Sequence, residues 1–585
     1  MRLALICLLL IQISVPASES PTGDTFVWWI APSLVKVRPA DRPPSEPQQI
    51  ADIRAAKNEF EPFQIVLRSP QPLTGLDVQA SPLTDDNGNS IAASFIQIYL
   101  VGFVNVTRPT RVGGETGEWP DALIPRVDSY YHERRNAFPF QLAAAHNQPV
   151  WIDVYVPTGT RAGNYKGEVA ITLAGKSFLT VPVRLKVWNF TLPSTSSLAT
   201  SFGFNGVTAL KQHAGQYTSD DDIRSLTFLY SKAALLDRIS LHGGTLIPPS
   251  FTVNGNSAAI DWNLYDREVG PFLDGMVLGD KDPLPGARFT SMDLRTHTSA
   301  NSNEKKVLYW REWAKHFRTK GWLSRLFYYV LDEPQVADFP KIVELARLAH
   351  EADPAIRTLV TTAKTPPLAN SVDIWTPLIN CFESKPGFDL YCRETVRRNE
   401  YDSDLRSGKQ LWWYQSCGSH GCNITGGGYF NGWPSYMIDE PGVSNRVMPW
   451  LAWKYRIAGE LYFNTVEAYG HTDAWNDTYL FGGNGDGTLF YPGRPKRIGG
   501  SKDIPIDSVR LKLIRDGLED YEYLLLLEKA AGHDAVERQV DRVVQNVYTY
   551  VNDPRVLGSA RLEAGEEIEK HFPGLNGGGR PGTGK

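Results

Sequence analysis

The chain has 585 residues, of which 42% are hydrophobic and 21% are charged; this composition excludes a largely disordered, collagen-like or coiled-coil protein. At roughly 150 residues per domain, the length predicts two to four domains, one of which can be a large barrel. The net charge is −5 and no long basic run offers a surface for phosphates, so nucleic acid is not an expected partner.

The N-terminal residues have the pattern of a secretory signal peptide. Arg2 precedes an apolar stretch from Leu3 to Ile13, and small residues follow up to a predicted cleavage site after Ala17. A membrane anchor is the alternative, but the apolar stretch is shorter than the ~20 residues that span a bilayer. We therefore expect residues 1–17 to be removed and the mature protein to be secreted or periplasmic, without a membrane span.

Four cysteines remain after the signal peptide and its Cys7 are removed. An even number of cysteines in an exported protein is typical of disulfides. Four cysteines allow three pairings, and proximity in the sequence favours Cys381 with Cys392 and Cys417 with Cys422. Free buried thiols are the alternative. Zinc is disfavoured because no CxxC pair with a suitably spaced His occurs.

Residues 24–191 consist of short β-rich runs separated by Gly, Pro, Asn and Asp. Runs such as PFQIVLRS, PVWIDVYVP and LTVPVRLKVW alternate apolar with polar residues in part, as half-buried strands do. This pattern predicts an N-terminal antiparallel β-sandwich. The Pro- and Ser-rich segment at residues 192–197 has no periodicity and marks the domain boundary.

From residue 198 to residue 530, strand-like runs alternate with amphipathic helical segments. This alternation predicts parallel strands with crossover helices, and over more than 300 residues it favours a (β/α)₈ TIM-like barrel with its site at the C-terminal ends of the strands. A doubly wound open sheet is the rival, but no GxGxxG motif opens the first unit. We expect C-terminal helices at 531–573 and a disordered Gly-rich tail at 574–585. The strand-like runs lie at 198–204, 241–248, 326–331, 358–363, 371–376, 410–416 and 460–465.

The motif RLFYYVLDEPQ is the sharpest chemical feature. Its strand-like run from Leu326 to Leu331 ends in two acids, Asp332 and Glu333, and then in Pro334. At the end of a barrel strand, two adjacent acids are candidates for catalysis. The alternative is that Asp332 only caps the next helix or pairs with an arginine.

The chemistry limits what two adjacent acids can do. Glycosidases normally hold two carboxyl groups on either side of the sugar, whereas neighbouring residues of a regular strand point to opposite faces. The pair can work if the strand end twists and the substrate supplies the nucleophile. A 2-acetamido sugar can attack its own anomeric carbon through the amide oxygen, leaving one acid to protonate the leaving oxygen and the other to stabilise the oxazolinium.

Several segments, taken in order, resemble glycoside hydrolase family 123 and a related uncharacterised domain. The barrel segments are YYVLDEP, GKQLWWYQ, MPWLAWKYRIAGELYF, NGDGTLFYPG and VRLKLIRDGLEDYEYL. Upstream, NEFEPFQIVL and NQPVWIDVYVPTGTRAGNYKGEV are similar to the family's N-terminal β-sandwich. The likeness covers most of residues 25–530.

The resemblance implies a retaining β-N-acetylgalactosaminidase that uses substrate assistance. On the matching motif, Asp332 would orient the acetamido group and stabilise the oxazolinium, and Glu333 would act as the general acid and then as the base. The resemblance implies neither a metal nor an organic cofactor. The fold carries over more safely than the identity of the sugar.

A second Asp-Glu-Pro motif is formed by Asp439, Glu440 and Pro441. It follows a Gly-rich polar loop and precedes a helix, so these acids are expected at a helix N-terminal region rather than in catalysis. The loop from Asn484 to Gly487 can suggest calcium, but it lacks the spacing and the downstream Glu of an EF-hand. A turn is the better interpretation of that loop.

Candidate substrate-binding residues follow other predicted barrel strands. In LWWYQ, alternation places Trp412 and Tyr414 on one face and Trp413 on the other, with sugar contact and core packing both open for each residue. His242 in LHGGTL and Asn464 in LYFNTVEAYG lie where polar groups can bind sugar hydroxyls. Each is also explained as a structural polar group.

These observations predict an exo-glycosidase that removes terminal β-linked N-acetylgalactosamine from a glycan or glycolipid. One alternative keeps the glycosidase and changes the sugar to another hexosamine or a hexose. The other is a noncatalytic carbohydrate-binding protein, in which the aromatic residues matter and the acids do not.

Overall fold

The computed structural model describes residues 25–243, 249–255, 257–388, 392, 395–422 and 427–571. The predicted signal peptide at 1–17 and the Gly-rich tail at 574–585 lie outside the described residues. Within the described ranges, no helix is long and apolar enough to span a membrane.

Two β-sheets pack face to face in the first part of the chain, and this confirms the predicted sandwich. Its strands are β1 (Val27–Pro32), β2 (Ala51–Lys57), β3 (Glu59–Arg68), β4 (Leu73–Ala80), β5 (Leu83–Asp85), β6 (Ser90–Ile91), β7 (Ile96–Val106), β8 (Gly117–Pro125), β9 (Phe140–Leu142), β10 (Asn147–Val156), β11 (Gly163–Leu173) and β12 (Lys176–Thr191). One sheet has the order β1-β3-β10-β7-β8 and the other β2-β12-β11-β4-β9, with β5 and β6 attached to β11. The pair β12 and β2 is parallel, whereas the neighbouring pairs in both sheets are antiparallel.

The five-stranded sheet is buried on both faces, and its central strand β10 shows why. Val150 and Ile152 pack into the core between the two sheets. Trp151 and Tyr155 point the other way and belong to the core that the sandwich shares with the barrel. Side chains alternate between the faces of a strand, so one strand serves both cores.

A nearly closed barrel of eight parallel strands follows, as predicted, and excludes the doubly wound alternative. The strands of this region are β13 (Ala199–Gly203), β14 (Leu241–His242), β15 (Phe251–Asn254), β16 (Ser257–Ile260), β17 (Met292–Asp293), β18 (Leu326–Leu331), β19 (Arg357–Val360), β20 (Ile374–Trp375), β21 (Gln410–Tyr414) and β22 (Gly459–Tyr462). The barrel order is β14-β13-β22-β21-β20-β19-β18-β17, and β15 and β16 form a separate hairpin. Short strand pairs occur later in the chain: β23 (Tyr479–Leu480) with β24 (Gly483–Asn484), β25 (Phe490–Gly493) with β26 (Ile504–Asp507), and β27 (Val544–Asn546) with β28 (Thr549–Tyr550).

Helices surround the barrel and form the C-terminal part of the chain. The amphipathic segments EKKVLYWREWAKHFRTK and FPKIVELARLAHEA form two of these helices, α5 (Asn303–Thr319) and α6 (Phe339–Ala352). The helices are α1 (Gly206–Ala214), α2 (Asp220–Leu236), α3 (Asn263–Glu268), α4 (Gly270–Asp274), α5 (Asn303–Thr319), α6 (Phe339–Ala352), α7 (Asp402–Arg406), α8 (Cys417–His420), α9 (Gly442–Arg446), α10 (Met448–Lys454), α11 (Pro495–Ile498), α12 (Val509–Ala531), α13 (His533–Val543) and α14 (Pro554–His571).

A small apolar cluster fills the barrel interior below the C-terminal face. Its buried members come from β18 to β22, whose inward-facing residues fill the interior there rather than leaving it open. Gly459 faces the indole of Trp412, and a Cβ at this glycine would lie 2.4 Å from the ring. The buried members of the cluster are Phe327, Leu359, Ile374, Trp412, Tyr414 and Leu461.

Helix α12 joins the barrel to the sandwich through buried ion pairs. Arg510 binds Asp121 of β8 through two nitrogens, at 2.9 and 2.8 Å, and Arg515 binds Asp153 of β10 at 2.7 and 2.9 Å. All four side chains are almost fully buried. Two-pronged Arg–carboxylate pairs fix direction as well as distance, so the helix sets how the two domains are oriented.

Candidate functional site

The two adjacent acids lie where the motif predicts, at the point where β18 opens onto the C-terminal face of the barrel. Asp332 and Glu333 follow the last residue of β18, and both side chains are exposed. Thr361 follows β19 and Tyr414 ends β21. Parallel strands bring their carboxyl ends to one rim, so these four residues meet there.

Asp332 is held through one of its two carboxylate oxygens. Its Oδ1 accepts hydrogen bonds from the hydroxyls of Tyr329, at 2.6 Å, and Thr361, at 2.8 Å. Tyr329 lies in the barrel interior, and burial, followed by the charge of Asp332, raises its pKa well above the usual value. Its hydroxyl therefore stays protonated and remains a donor to Asp332.

The backbone at Glu333 leaves the regular strand. Its φ is 40°, in the left-handed region that non-glycine residues seldom adopt. Its N–H donates to Thr361 Oγ1 at 2.7 Å, so one buried hydroxyl contacts both acidic residues. Because of this turn, the side chains of Asp332 and Glu333 can both lie at the same rim of the barrel, whereas in a regular strand they would point to opposite faces.

The Glu333 carboxylate is also anchored on one side. Tyr414 donates its hydroxyl proton to Oε1 at 2.6 Å. Burial, and then the negative charge of Glu333, raises the pKa of Tyr414 well above the usual value. Tyr414 therefore acts as a neutral hydrogen-bond donor at any ordinary pH.

A cavity of about 460 Å³ lies against Glu333. Pockets of about 300–1,000 Å³ are typical of small-ligand sites. Apolar side chains such as Phe339 and Leu378 alternate in its wall with the hydroxyls of Thr361, Thr365 and Ser419. This mixture suits a ligand that has both apolar faces and hydroxyl groups.

His242 lies on the same face of the barrel, at the end of β14. Its ring is 6.5 Å from the ring of Tyr329, and its buried Nε2 has no partner among the described residues. Burial lowers its pKa; Asp293 opposes this shift and Arg295 adds to it. A neutral imidazole with a free nitrogen can bind a ligand hydroxyl.

Sequence reasoning did not single out several residues of this rim. Asp293 lies at the end of β17, where its carboxylate pairs with Arg295 at 3.3 Å and accepts the N–H of Gly243 at 3.3 Å. Thr361 and Tyr329 were included only in strand-like runs. The available signal was position, because polar residues at the carboxyl ends of barrel strands are candidates for the site.

The three aromatic candidates of LWWYQ occupy different environments. Alternation is as predicted: Trp412 and Tyr414 point into the barrel, while Trp413 points outward and packs against Phe382 and Tyr455. Trp412 is 3% exposed and Trp413 is fully buried. Their burial corresponds to the core-packing alternative, and Tyr414 is the member of the three that reaches the acid pair.

Asn464 corresponds to the structural alternative as well. Its Oδ1 accepts the N–H groups of Thr465 and Val466, and its Nδ2 donates to Glu467. Its side chain is therefore used within its own turn.

The loop from Asn484 to Gly487 is a turn, as the composition indicates. Asp486 is fully buried and its Oδ2 accepts the N–H of Cys417 at 2.9 Å. Burial raises the pKa of Asp486 to about 7. This acid holds the chain near α8 in place.

The second Asp-Glu-Pro motif contacts the sandwich rather than the acid pair. Asp439 accepts the N–H and the hydroxyl of Thr110, at 2.6 and 2.5 Å. Lys36 donates to the carbonyl of Glu440 at 2.7 Å, and the Glu440 side chain is buried. Helix α9 begins just after this motif, so the prediction of a loop before a helix is confirmed.

Both sequence-favoured disulfides are present. Cys381 is bonded to Cys392 and Cys417 to Cys422. The first bridge lines the cavity beside Glu333, and the second closes the loop that carries Ser419. The bridges therefore fix two loops at the candidate site.

The C-terminal face of this parallel barrel holds two anchored carboxyl groups, of which Glu333 lines a cavity. Such a pair can transfer a proton to a leaving oxygen and stabilise a developing positive charge. This combination of fold and site defines a glycoside hydrolase. Residues 37–173 match the model of the glycoside hydrolase 123 N-terminal domain, and residues 288–527 match that of the glycoside hydrolase 123 catalytic domain. The chain belongs to glycoside hydrolase family 123.

One solved structure agrees with this fold over most of the chain. The chain is similar to a family 123 glycoside hydrolase from Clostridium perfringens that was studied for glycolipid glycan hydrolysis: identity is 14%, the TM-score is 0.64, and 93% of this chain and 97% of that chain are covered. A family 5 xyloglucanase from Bacteroides ovatus matches with 9% identity, a TM-score of 0.28 and coverage of 81% and 99% of the two chains. A family 39 glycoside hydrolase from Bacteroides cellulosilyticus matches with 11% identity, a TM-score of 0.31 and coverage of 80% and 81%. No curated protein matches the chain significantly.

Proposed function

We propose that this glycoside hydrolase is a retaining exo-enzyme that removes terminal β-linked N-acetylgalactosamine by substrate assistance. The observation that carries the proposal is the way the two acids are held. Asp332 is bonded by protein donors at Oδ1, and Glu333 is bonded by Tyr414 at Oε1. Each carboxyl group has a fixed orientation and a second oxygen available for substrate.

In the proposed first step, the substrate's acetamido oxygen attacks its own anomeric carbon. Asp332 accepts the acetamido N–H through Oδ2, which orients the amide and stabilises the positive charge of the oxazolinium. Glu333 gives its proton from Oε2 to the departing glycosidic oxygen. In the second step, Glu333 takes a proton from water as the water opens the oxazolinium, and the anomeric configuration is retained.

The surroundings provide places for the two halves of the substrate. The cavity of about 460 Å³ beside Glu333 would take the leaving group, because the general acid must contact the glycosidic oxygen. His242 and the Asp293–Arg295 pair would contact hydroxyls of the N-acetylgalactosamine ring. A glycan or glycolipid substrate is supported by the similarity to the Clostridium perfringens enzyme, which was studied for glycolipid glycan hydrolysis.

Export of the enzyme is part of the proposal. The N-terminal signal pattern and the two disulfides support a secreted or periplasmic location, because disulfides persist in oxidising compartments. The N-terminal sequence of the protein recovered from culture medium or periplasm should begin at Ser18. An N-terminus at Met1 would contradict export by cleavage.

The test is hydrolysis of p-nitrophenyl glycosides by the wild type and by Asp332→Asn and Glu333→Gln. We expect turnover of the β-N-acetylgalactosaminide and a kcat about 10²- to 10⁴-fold lower in each variant. Glu333→Gln should recover activity on a dinitrophenyl glycoside, whose leaving group needs little protonation, and Asp332→Asn should not. Glu440→Gln is the matched control, since this acid lies in the second Asp-Glu-Pro motif.

Two outcomes would reject the mechanism. Equal turnover of a galactoside that lacks the acetamido group would rule out substrate assistance. Full activity of Glu333→Gln on the p-nitrophenyl substrate, or loss of activity in Glu440→Gln with an unchanged melting temperature, would reverse the assignment of the acids.

A further inference from the structure

A second cavity of about 500 Å³ lies between the sandwich and the barrel. The sandwich contributes Gln97 and Tyr99 of β7 and the loop with Tyr130, and the barrel side contributes Asp507 and Lys512. We call this space the interdomain cavity. Its volume is within the range of about 300–1,000 Å³ that small-ligand pockets occupy.

The interdomain cavity is on the opposite side of the barrel from the acid pair. It is lined by Leu236, the last residue of α2, which leads into the start of β14. Asp332 and Glu333 follow the end of β18. Because the barrel strands are parallel, the start of one strand and the end of another lie on opposite faces. A ligand in this cavity therefore does not occupy the proposed catalytic site.

A fixed polar group in the interdomain cavity lacks a partner. Lys512 is buried and its Nζ binds Asp237 at 2.9 Å and Asp507 at 2.8 Å. These contacts use one oxygen of Asp507, and the other, Oδ1, is buried with no hydrogen-bond partner among the described residues. A buried carboxylate oxygen without a donor is costly, and a ligand hydroxyl would satisfy it.

Aromatic rings flank this polar group. Tyr99 and Tyr130 line the cavity together with Phe95, and Lys512 Nζ lies 5.9 Å from the centre of the Tyr99 ring. Gln97 adds an amide that can both donate and accept. Flat apolar faces beside bidirectional hydrogen-bonding groups are the chemistry that recognises a sugar ring, which has C–H faces and a rim of hydroxyls.

The charges of the lining disfavour an ionic ligand. Acidic and basic side chains are equal in number, four of each. Several are already engaged, since Asp128 pairs with Arg135, Asp153 with Arg515 and Arg126 with Asp77. The cavity therefore presents hydrogen-bonding groups without a dominant charge.

We propose that the interdomain cavity is an accessory binding site for a neutral saccharide, distinct from the catalytic site. The Tyr130 ring packs against a sugar face, and Gln97 and Asp507 Oδ1 bind its hydroxyls. The site would hold a second part of a branched glycan, or a neighbouring glycan, while the C-terminal rim of the barrel acts on the first. The inference does not depend on which sugar is hydrolysed.

The experiment titrates the full mature chain with N-acetylgalactosamine, galactose and lactose, and follows backbone hydrogen exchange. We expect saccharide to slow exchange in two separate places. One is the loop that carries Asp332 and Glu333, and the other consists of the segments 93–99 and 126–132. Tyr130→Ala should lower the affinity for saccharide measured at 93–99 and 126–132 by about tenfold, the loss expected when an aromatic contact is removed. It should leave kcat on an aryl glycoside within about twofold of the wild type.

Matched variants keep the test decisive. Tyr131→Ala is the control, because Tyr131 is adjacent in sequence, 43% exposed and outside the lining of the interdomain cavity; it should bind saccharide like the wild type. Gln97→Ala repeats the measurement if Tyr130→Ala lowers the melting temperature. Three results would overturn the proposal. The first is that saccharide leaves exchange at 93–99 and 126–132 unchanged, and the second is that Tyr130→Ala and Gln97→Ala are protected as strongly as the wild type. The third is that inorganic sulfate displaces the sugar. If Glu333→Gln loses hydrolysis but saccharide still protects 93–99 and 126–132, binding at the interdomain cavity is independent of the proposed catalytic mechanism.

Discussion

Replacing Thr361 by valine isolates the link between the two acids. Valine has nearly the shape of threonine but lacks the hydroxyl, so the Asp332 Oδ1 bond of 2.8 Å and the Glu333 N–H bond of 2.7 Å are both lost. Hydrogen bonds to charged groups are worth about 1.5–3 kcal/mol. If the Asp332 bond acts fully in the transition state, kcat falls about 10- to 150-fold, since about 1.4 kcal/mol is a factor of ten.

The assay is steady-state hydrolysis of the p-nitrophenyl substrate by Thr361→Val, with Thr361→Ser as the control that keeps the hydroxyl. Serine should retain most of the activity, and the melting temperatures of the two variants should be similar. The Glu333 backbone, at a φ of 40°, also loses a hydrogen bond in the valine variant. Because Glu333 lines the cavity proposed for the leaving group, the KM of the p-nitrophenyl substrate should change together with kcat. Equal kcat values for valine, serine and wild type would refute the view that Thr361 positions the acids.

Two further predictions concern the pH range and the second anchor. Tyr414→Phe removes the 2.6 Å bond to Glu333 and should lower kcat about 10- to 100-fold on the p-nitrophenyl substrate; an unchanged kcat would contradict its anchoring role. Burial raises the pKa of Glu460 to about 7 from 4.5, opposed by the hydrogen bond from Tyr436, so the folded state holds a proton that the unfolded state releases. The free energy of unfolding of the wild type should therefore fall as pH rises from about 4.5 to about 7. Relative to the wild type, that of Glu460→Gln should rise by on the order of 1 kcal/mol per pH unit. Melting curves at several pH values measure this difference, and a constant difference would contradict the raised pKa.

Much of the barrel was predictable because its strands are hydrophobic runs and its helices are amphipathic. The run from Leu326 to Leu331 forms β18, and the helix expected after it forms α6 over Phe339–Ala352. Strand β17 was not predicted, because Met292 and Asp293 are too few residues to show a period. Its place in the sheet comes from pairing with β18, which is a tertiary effect.

The acid pair was predictable, whereas its supporting contacts were not. Asp332 and Glu333 stand out because they end a strand, a local signal that sequence carries. The contact of Thr361 with both acids depends on the neighbouring strand and on the backbone turn at Glu333, which no periodicity reveals. The same holds for Tyr414, which is buried like its neighbour Trp413 but donates its hydroxyl proton to Glu333 on another strand end.

Helix α12 has a consequence for how the molecule moves. Its Arg510 and Arg515 form buried ion pairs with carboxylates of β8 and β10 between the domains, and removing one partner of such a pair costs about 3–5 kcal/mol. Opening a hinge there would expose and separate several of these pairs at once. Hinge opening between the two domains is therefore disfavoured, and we expect any adjustment that admits a glycan to occur in the loops at the barrel mouth, which the two disulfides cross-link.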